Sequence, residues 1–320
     1  MRKQIEIVKN RSDIGAGTRG SDLGIDAIEI AAINKHSYFF KDHLSVDVPT
    51  RNESVYEDVD SPFGKHIKQV YQQCKHLASI VEDVLLKNNI PLVFSGDHSS
   101  AIGTISGIRA AYPDKRLGVV WIDAHADIHS PYTTPSGNMH GMPLAALMSI
   151  DNKANAVNKV GDETLIYWDK LKKIGLESVK LAPEDLIYFG VRDTEEEEDA
   201  LIERLAIRNY KVAELRANGI EGCIQNALRQ VEECDYIYIS FDVDSMDSER
   251  ISSGTGTPVP QGFLPEEVTE VLASILASGK VVCLEIVEVN PLLDNRGNKM
   301  AEVAFDIIEK VVPLLENRAI

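Results

Sequence analysis

Three side chains able to hold a metal ion follow one another at every second position: Asp123, His125 and Asp127. They come directly after an apolar run, Leu117, Val119, Val120, Trp121 and Ile122, that reads as a buried strand. In extended backbone alternate residues point to one side, so the three can converge at the mouth of a sheet. Carboxylate oxygen combined with imidazole nitrogen suits Mn, Fe, Co, Ni or Zn, and the excess of carboxylate leans toward Mn. A polar strand exit with a hydrogen-bonded histidine would give the same pattern, so the weight falls on what surrounds it. Two further apolar runs end in the same chemistry. Leu92–Phe94 leads through Ser95 and Gly96 to Asp97 and His98, and Tyr236–Phe241 leads to Asp242 and Asp244. By itself Asp242-Val243-Asp244 could be a turn or a helix cap. Several carboxylates at the ends of adjacent strands repel one another unless cations compensate them. Two divalent metals sharing bridging carboxylates satisfy all three motifs, and such a pair would make hydroxide available near neutral pH.

The elements that must position these residues alternate along the chain. Further strands are predicted at Gln4–Val8, Leu186–Gly190 and Val281–Val289, the last carrying Glu288, with one possible strand at Leu44–Val48. Helices are predicted over Ile25–Ile33, His66–Lys87, Ser100–Ala111, Glu195–Arg208, Ile220–Cys234, Pro265–Ala277 and Met300–Glu316, with a short one opening at Pro143 and a kink near Pro313. Asp151–Lys180 carries no clear period. The stretch around 41–62 is polar and irregular and reads as a surface insertion. Arg11–Gly24 is glycine-rich, but it lacks the helix pattern and later ribose-binding acid of a dinucleotide loop, and reads as a loop facing the active site. With no linker and no internal repeat, the pattern predicts a single three-layer α/β/α domain over 1–320 with a mostly parallel central sheet. Ligands in such sheets collect beyond the carboxyl ends of the strands, where every candidate ligand falls.

Composition restricts the partners. The 320 residues are 44% hydrophobic and carry a formal net charge of −17. That charge opposes binding to nucleic acid or to an anionic membrane and mildly favours small cationic molecules. No apolar run is long enough to span a bilayer and the N-terminus lacks the apolar core of a signal peptide, so a cytoplasmic protein is expected. Cys74, Cys223, Cys234 and Cys283 form no CxxC pair and read as buried free thiols.

Six stretches together carry a family resemblance: SGDHSSAIGTISG (95–107), DAHAD (123–127), TTPSGNMHG (133–141), SFDVDSMD (240–247), GTGTP (254–258) and EVNP (288–291). In this order and over most of the chain they resemble the ureohydrolase (arginase/agmatinase) superfamily, and arginases most of all. The resemblance implies an arginase-like fold and two Mn2+ per subunit, with Co, Ni or Fe as substitutes. One metal would take His98, Asp123, Asp127 and Asp242; the other would take Asp123, His125, Asp242 and Asp244. Asp123 and Asp242 would bridge both ions along with a nucleophilic hydroxide, from which Asp127 would also accept a hydrogen bond. Glu288 would hold a substrate guanidinium, and His140 would shuttle the proton that the leaving amine needs. Thr134, Ser136 and Asn138 match the loop that reads an α-carboxylate, and Thr257 lies in a further substrate-facing loop.

Two positions depart from the arginase pattern. His129 stands where Asn is usual, and Glu195 where an Asp helps hold the α-amino group. Both could still reach their targets. The implied activity is hydrolysis of L-arginine to L-ornithine and urea. The alternative is a ureohydrolase for another guanidino compound, agmatine or a guanidino acid. A non-enzymatic metal-bound regulatory subunit has no support, because every ligand position is intact. A binuclear phosphoesterase is disfavoured by the acidic chain and the lack of an Arg/Lys cluster near the motifs. The resemblance also suggests a homotrimer or homohexamer.

Overall fold

The apolar runs become the strands of one wholly parallel, eight-stranded sheet in the computed structural model, which describes residues 4–59 and 61–316. In chain order the elements are β1 (Ile5–Asn10), α1 (Gly24–Asn34), α2 (Phe39–Asp42), β2 (Leu44–Asp47), α3 (Ile67–Leu86), β3 (Ile90–Ser95), α4 (Ala101–Ala111), β4 (Leu117–Ile122), α5 (Pro143–Leu147), α6 (Asp162–Lys172), β5 (Leu186–Phe189), α7 (Glu196–Leu205), β6 (Arg208–Tyr210), α8 (Val212–Asn218), α9 (Ile220–Gln230), β7 (Tyr236–Asp242), α10 (Pro265–Leu276), β8 (Val281–Val287) and α11 (Lys299–Glu316). The strand order is β2-β1-β3-β8-β7-β4-β5-β6. Strands buried on both faces need apolar residues at every position, and β4 shows why its sequence lacks alternation. Val120 and Ile122 pack into a core with α1, α9, α10 and α11. Leu117, Val119 and Trp121 pack into a second core with α3, α4, α5 and α6. These two cores are the two faces of a three-layer α/β/α arrangement.

Several expectations need correction. β8 stops at Val287, so Glu288 lies beyond the strand, in the left-handed region at φ +66°. Asp127 is also left-handed, at φ +49°, so the chain after β4 turns and does not continue extended. The helix predicted to Arg208 ends at Leu205, where Ala206 turns left-handed, and the next residues form β6 and α8, which carried no sequence signal. The helix predicted to Cys234 ends at Gln230. Pro313 lies inside α11, and α6 occupies part of the unreadable 151–180 stretch. The possible strand at Leu44–Val48 is present as β2, within the polar 41–62 segment, and pairs in parallel with β1 as the edge of the sheet. All four cysteines are buried and free. Among the described residues no helix is long and apolar enough to cross a membrane.

Candidate metal centre and substrate pocket

The four central strands β3, β8, β7 and β4 are neighbours, and each delivers functional side chains from its carboxyl end. β3 leads to His98, β8 to Glu288, β7 to Asp242 and Asp244, and β4 to Asp123, His125 and Asp127. His98, Asp123, Asp127, Asp242 and Asp244 are buried. His98 Nδ1 lies 3.0 Å from Asp123 Oδ2, 3.0 Å from Asp127 Oδ2 and 3.2 Å from Asp242 Oδ2. His125 Nδ1 lies 3.0 Å from Asp244 Oδ2 and 3.5 Å from Asp123 Oδ1. His98, Asp123 and Asp127 form one group whose donor atoms all lie within 4.8 Å of one another; Asp123, His125 and Asp244 form a second. The two groups share Asp123.

Surrounding bonds aim these side chains. The His98 ring stacks on Trp121 at 4.0 Å, and its Nε2 donates to Ser240 Oγ at 2.6 Å, which leaves Nδ1 turned to the carboxylates. The backbone amides of His125 and Asp244 donate to Asp123 Oδ1 and Asp242 Oδ1. Thr257, expected at the substrate, donates its hydroxyl to Asp244 Oδ2 at 3.1 Å. Arg192 donates to the carbonyls of Gly190, Asp244 and Val259 and so ties the Asp244 turn to the end of β5 and to the loop before α10.

The electrostatics are those of a site built for cations. Burial, followed by the neighbouring carboxylates, pushes Asp242 and Asp244 above the usual range. Asp127 rises to about 6 through burial and the Asp123 charge. Asp123 is held low because His125 and His98 outweigh its burial. Both histidines are raised despite burial, by the surrounding aspartates. His98 Nδ1 and Asp123 Oδ2 are buried without a well-aligned hydrogen-bond partner, although only 3.0 Å separates them. Their close approach still draws a proton to the ring. The angles are poor for a hydrogen bond, and two donors converging on one point fit a shared cation better.

A cavity of about 280 Å³ opens above these groups. His129, Thr134, Ser136, Asn138, His140, Glu195, Thr257 and Glu288 all line it, as do Asp193 and Glu198. Glu288 Oε1 accepts from the His98 backbone amide at 2.9 Å and meets His140 Nδ1 at 3.1 Å. That contact outweighs burial and raises His140 to about 9. The glycine-rich loop packs against this corner, with the His140 amide donating to the Gly15 carbonyl. The 133–138 loop is held from within, since Thr134 Oγ1 accepts from the Gly137 amide and Ser136 Oγ from the Asn138 amide. The structure brings His129 and Glu195 against each other: His129 Nε2 is 3.1 Å from Glu195 Oε2, and its Nδ1 is 3.1 Å from Thr133 Oγ1. The His129 contact holds Glu195 down at about 2.

Glu198 escaped the sequence reading. Its run of four glutamates looks like an acidic first turn serving a helix dipole. Its carboxylate instead turns inward, accepting from the Ile128 amide at 3.2 Å and the Glu195 amide at 3.3 Å. It therefore pins the segment between Asp127 and His129. Burial and the nearby Glu195 push it well above the ordinary carboxylate range. The available signal was its place three residues after Glu195, where a side chain can reach back to the amide that starts the helix.

A parallel sheet that gathers four aspartates and two histidines at its central strand ends defines a class: α/β proteins that can hold divalent cations beside a small-molecule pocket. Residues 3–312 match the Arginase family. The chain is 34% identical to the arginase of Bacillus caldovelox over 96% of its own length and 97% of that protein. It is 31% identical to the arginase of Bacillus subtilis, covering 98% of each. The solved structure of Bacillus caldovelox arginase superposes with a TM-score of 0.83 at 32% identity, over the full length of both chains. This chain belongs to the arginase family and is a hydrolase of the ureohydrolase type.

Proposed function

We propose that the protein hydrolyses L-arginine to L-ornithine and urea at a pair of divalent cations, Mn2+ by preference. The observation that carries this reading is the joining, in one cavity, of the candidate metal-ligating strand ends with Thr134, Ser136 and Asn138 of the 133–138 loop. The residues present fit two ions. His98, Asp123, Asp127 and Asp242 would hold one; Asp123, His125, Asp242 and Asp244 would hold the other. The chemistry such a pair supplies is a water acidic enough to yield hydroxide near neutral pH.

The protein's own groups do the rest. A guanidinium carbon is a resonance-stabilised, cationic and therefore poor electrophile, so positioning matters. Glu288 has one oxygen tied to the His98 amide and His140, which fixes its carboxylate at the cavity wall. There it pairs with the guanidinium and holds its carbon toward the strand ends. Hydrolysis forms a bond from the water oxygen to that carbon and breaks its bond to the chain nitrogen, which leaves as a primary amine and must gain a proton. His140, held through Nδ1 by Glu288, keeps Nε2 for that transfer, and its raised affinity keeps a proton at hand. Thr134, Ser136 and Asn138 receive the α-carboxylate; Glu195 and Glu198 face the α-ammonium.

A second reading, action on a different guanidino compound such as agmatine or a guanidino acid, is favoured by one observation. His129 engages Glu195 through Nε2 and Thr133 through Nδ1, so neither of its ring nitrogens is free to meet a substrate carboxylate without parting. Urea release by Mn-loaded protein, with L-arginine and agmatine assayed side by side, decides between them. Turnover of L-arginine alone supports the first reading; turnover of agmatine with silence on L-arginine overturns it.

A further inference from the structure

The segment between β2 and α3 runs along the outside of the 133–138 loop and touches it at three points. The Lys65 amide donates to the Gly137 carbonyl at 2.8 Å. Gly137 has φ +78°, and a Cβ added there would stand 1.8 Å from the Pro62 carbonyl oxygen, so the two backbones are in direct contact. The third point is a side-chain bond: Lys65 Nζ donates to Asn138 Oδ1 at 3.2 Å. An ammonium offers donors only, so the amide must turn its oxygen to Lys65 and its nitrogen away. Asn138 Nδ2 then lies against Gly17, where an added Cβ would be 2.5 Å from it. It finds no acceptor among the described residues, and Asn138 lines the cavity.

Charge gives this bond its importance. The cavity wall carries Asp193, Glu195, Glu198 and Glu288 and contains no lysine or arginine. A carboxylate entering such a wall meets like charge. Lys65 is half-buried just behind the loop and supplies a positive charge there without lining the cavity itself.

We infer that Lys65 is a positioning residue that makes the pocket select a guanidino substrate bearing a carboxylate. It fixes which way the Asn138 amide faces, leaving the N–H groups of a cavity-lining side chain without an internal acceptor, and offsets the acidic wall at that point. The inference rests on the proposed amino-acid substrate and deepens it. Lys65 never touches the reacting atoms; it acts through Asn138 on recognition of the far end of the substrate. A lysine with only a structural role would shift stability and affect all ligands alike.

The test is steady-state urea release by the full, Mn-loaded chain as wild type, Lys65→Met and Lys65→Arg, with L-ornithine and putrescine as competitors. These two differ by one carboxylate. Lys65→Met is expected to raise KM for L-arginine and the inhibition constant of L-ornithine about tenfold, the effect of weakening one oriented hydrogen bond to a charged group. It should leave kcat within about twofold and putrescine inhibition unchanged, and Lys65→Arg should recover most of the loss. Unchanged KM for L-arginine, or equal weakening of L-ornithine and putrescine, would overturn the role of Lys65 while leaving the functional reading intact. A wild type that releases no urea from L-arginine would instead overturn the functional reading, and this role with it.

Discussion

Replacing Gly137 with alanine tests whether the loop facing the cavity is held by backbone contact. The added Cβ would stand 1.8 Å from the Pro62 carbonyl oxygen, so the two backbones must part by more than an ångström. Alanine also resists φ +78°, at a cost of about 1–2 kcal/mol. Parting the two segments breaks the Lys65–Gly137 backbone bond, worth about 1 kcal/mol. The strain falls on the 133–138 loop, which the Pro62 contact meets directly, whereas the candidate metal ligands stand at strand ends. The loop that carries Thr134, Ser136 and Asn138 and runs on to His140 must move instead. A misplacement of about 1 Å at a positioning element can lower rates on the order of a hundredfold. Gly137→Ala, loaded with manganese, should therefore retain it, measured by atomic emission, and keep its helical circular dichroism. Its kcat/KM for L-arginine should fall about a hundredfold in the urea assay. Wild-type kinetics in this variant would refute the backbone-contact argument, and loss of metal would refute the separation of loop from metal centre.

Other perturbations probe the centre itself. Asp127→Asn should lose bound metal and nearly all turnover; an active, metal-replete variant would remove Asp127 from the ligands. His140→Asn should retain both metals and slow turnover on the order of a hundredfold, as loss of a general acid does, and unchanged turnover would take His140 out of the mechanism. Metal removal should couple to pH. In the metal-free protein Asp127 has a folded-state pKa raised from 3.8 to about 6 by burial and Asp123, so the folded form binds its proton more tightly than the unfolded form. Its contribution to stability is present below about pH 4 and is lost as pH rises through 6. Metal binding requires that same proton to leave and so strengthens over the same range. The gap in melting temperature between Mn-loaded and chelator-stripped protein should widen from pH 5 to pH 7; a constant gap would refute the linkage.

The net charge of −17 is spread unevenly in its consequences. Some acidic residues are exposed, whereas Asp123, Asp127, Asp242, Asp244, Glu198, Glu285 and Glu288 are buried. Glu285 accepts from Ser95, Ser100 and Tyr238, which links β3, the His98 turn, β7 and β8 beneath the candidate metal centre. Such a satisfied buried carboxylate rigidifies the floor on which His98 stands.

The sequence by itself determined the chemistry available and the local elements that carry it. Apolar runs ending in Asp and His are read from neighbouring residues, because burial on both faces of a strand and polarity at its end are local requirements. One edge element, β6, was not legible in this way. β6 has three residues, and its pairing with β5 makes it a strand more than any preference of Arg208–Tyr210 does. Nor could alternation foresee the left-handed turn at Asp127, which Glu198 fastens through Ile128 from 70 residues away. The tertiary structure decided that β8 and β7 insert between β3 and β4, which brings His98 to Asp123 and places Glu288 beside His140. It also decided that His129 meets Glu195 and that Lys65 turns the amide of Asn138. These contacts join residues 66 and 73 positions apart. Local pattern specifies which face of an element is buried; the order in which strands pair decides which distant side chains share a pocket.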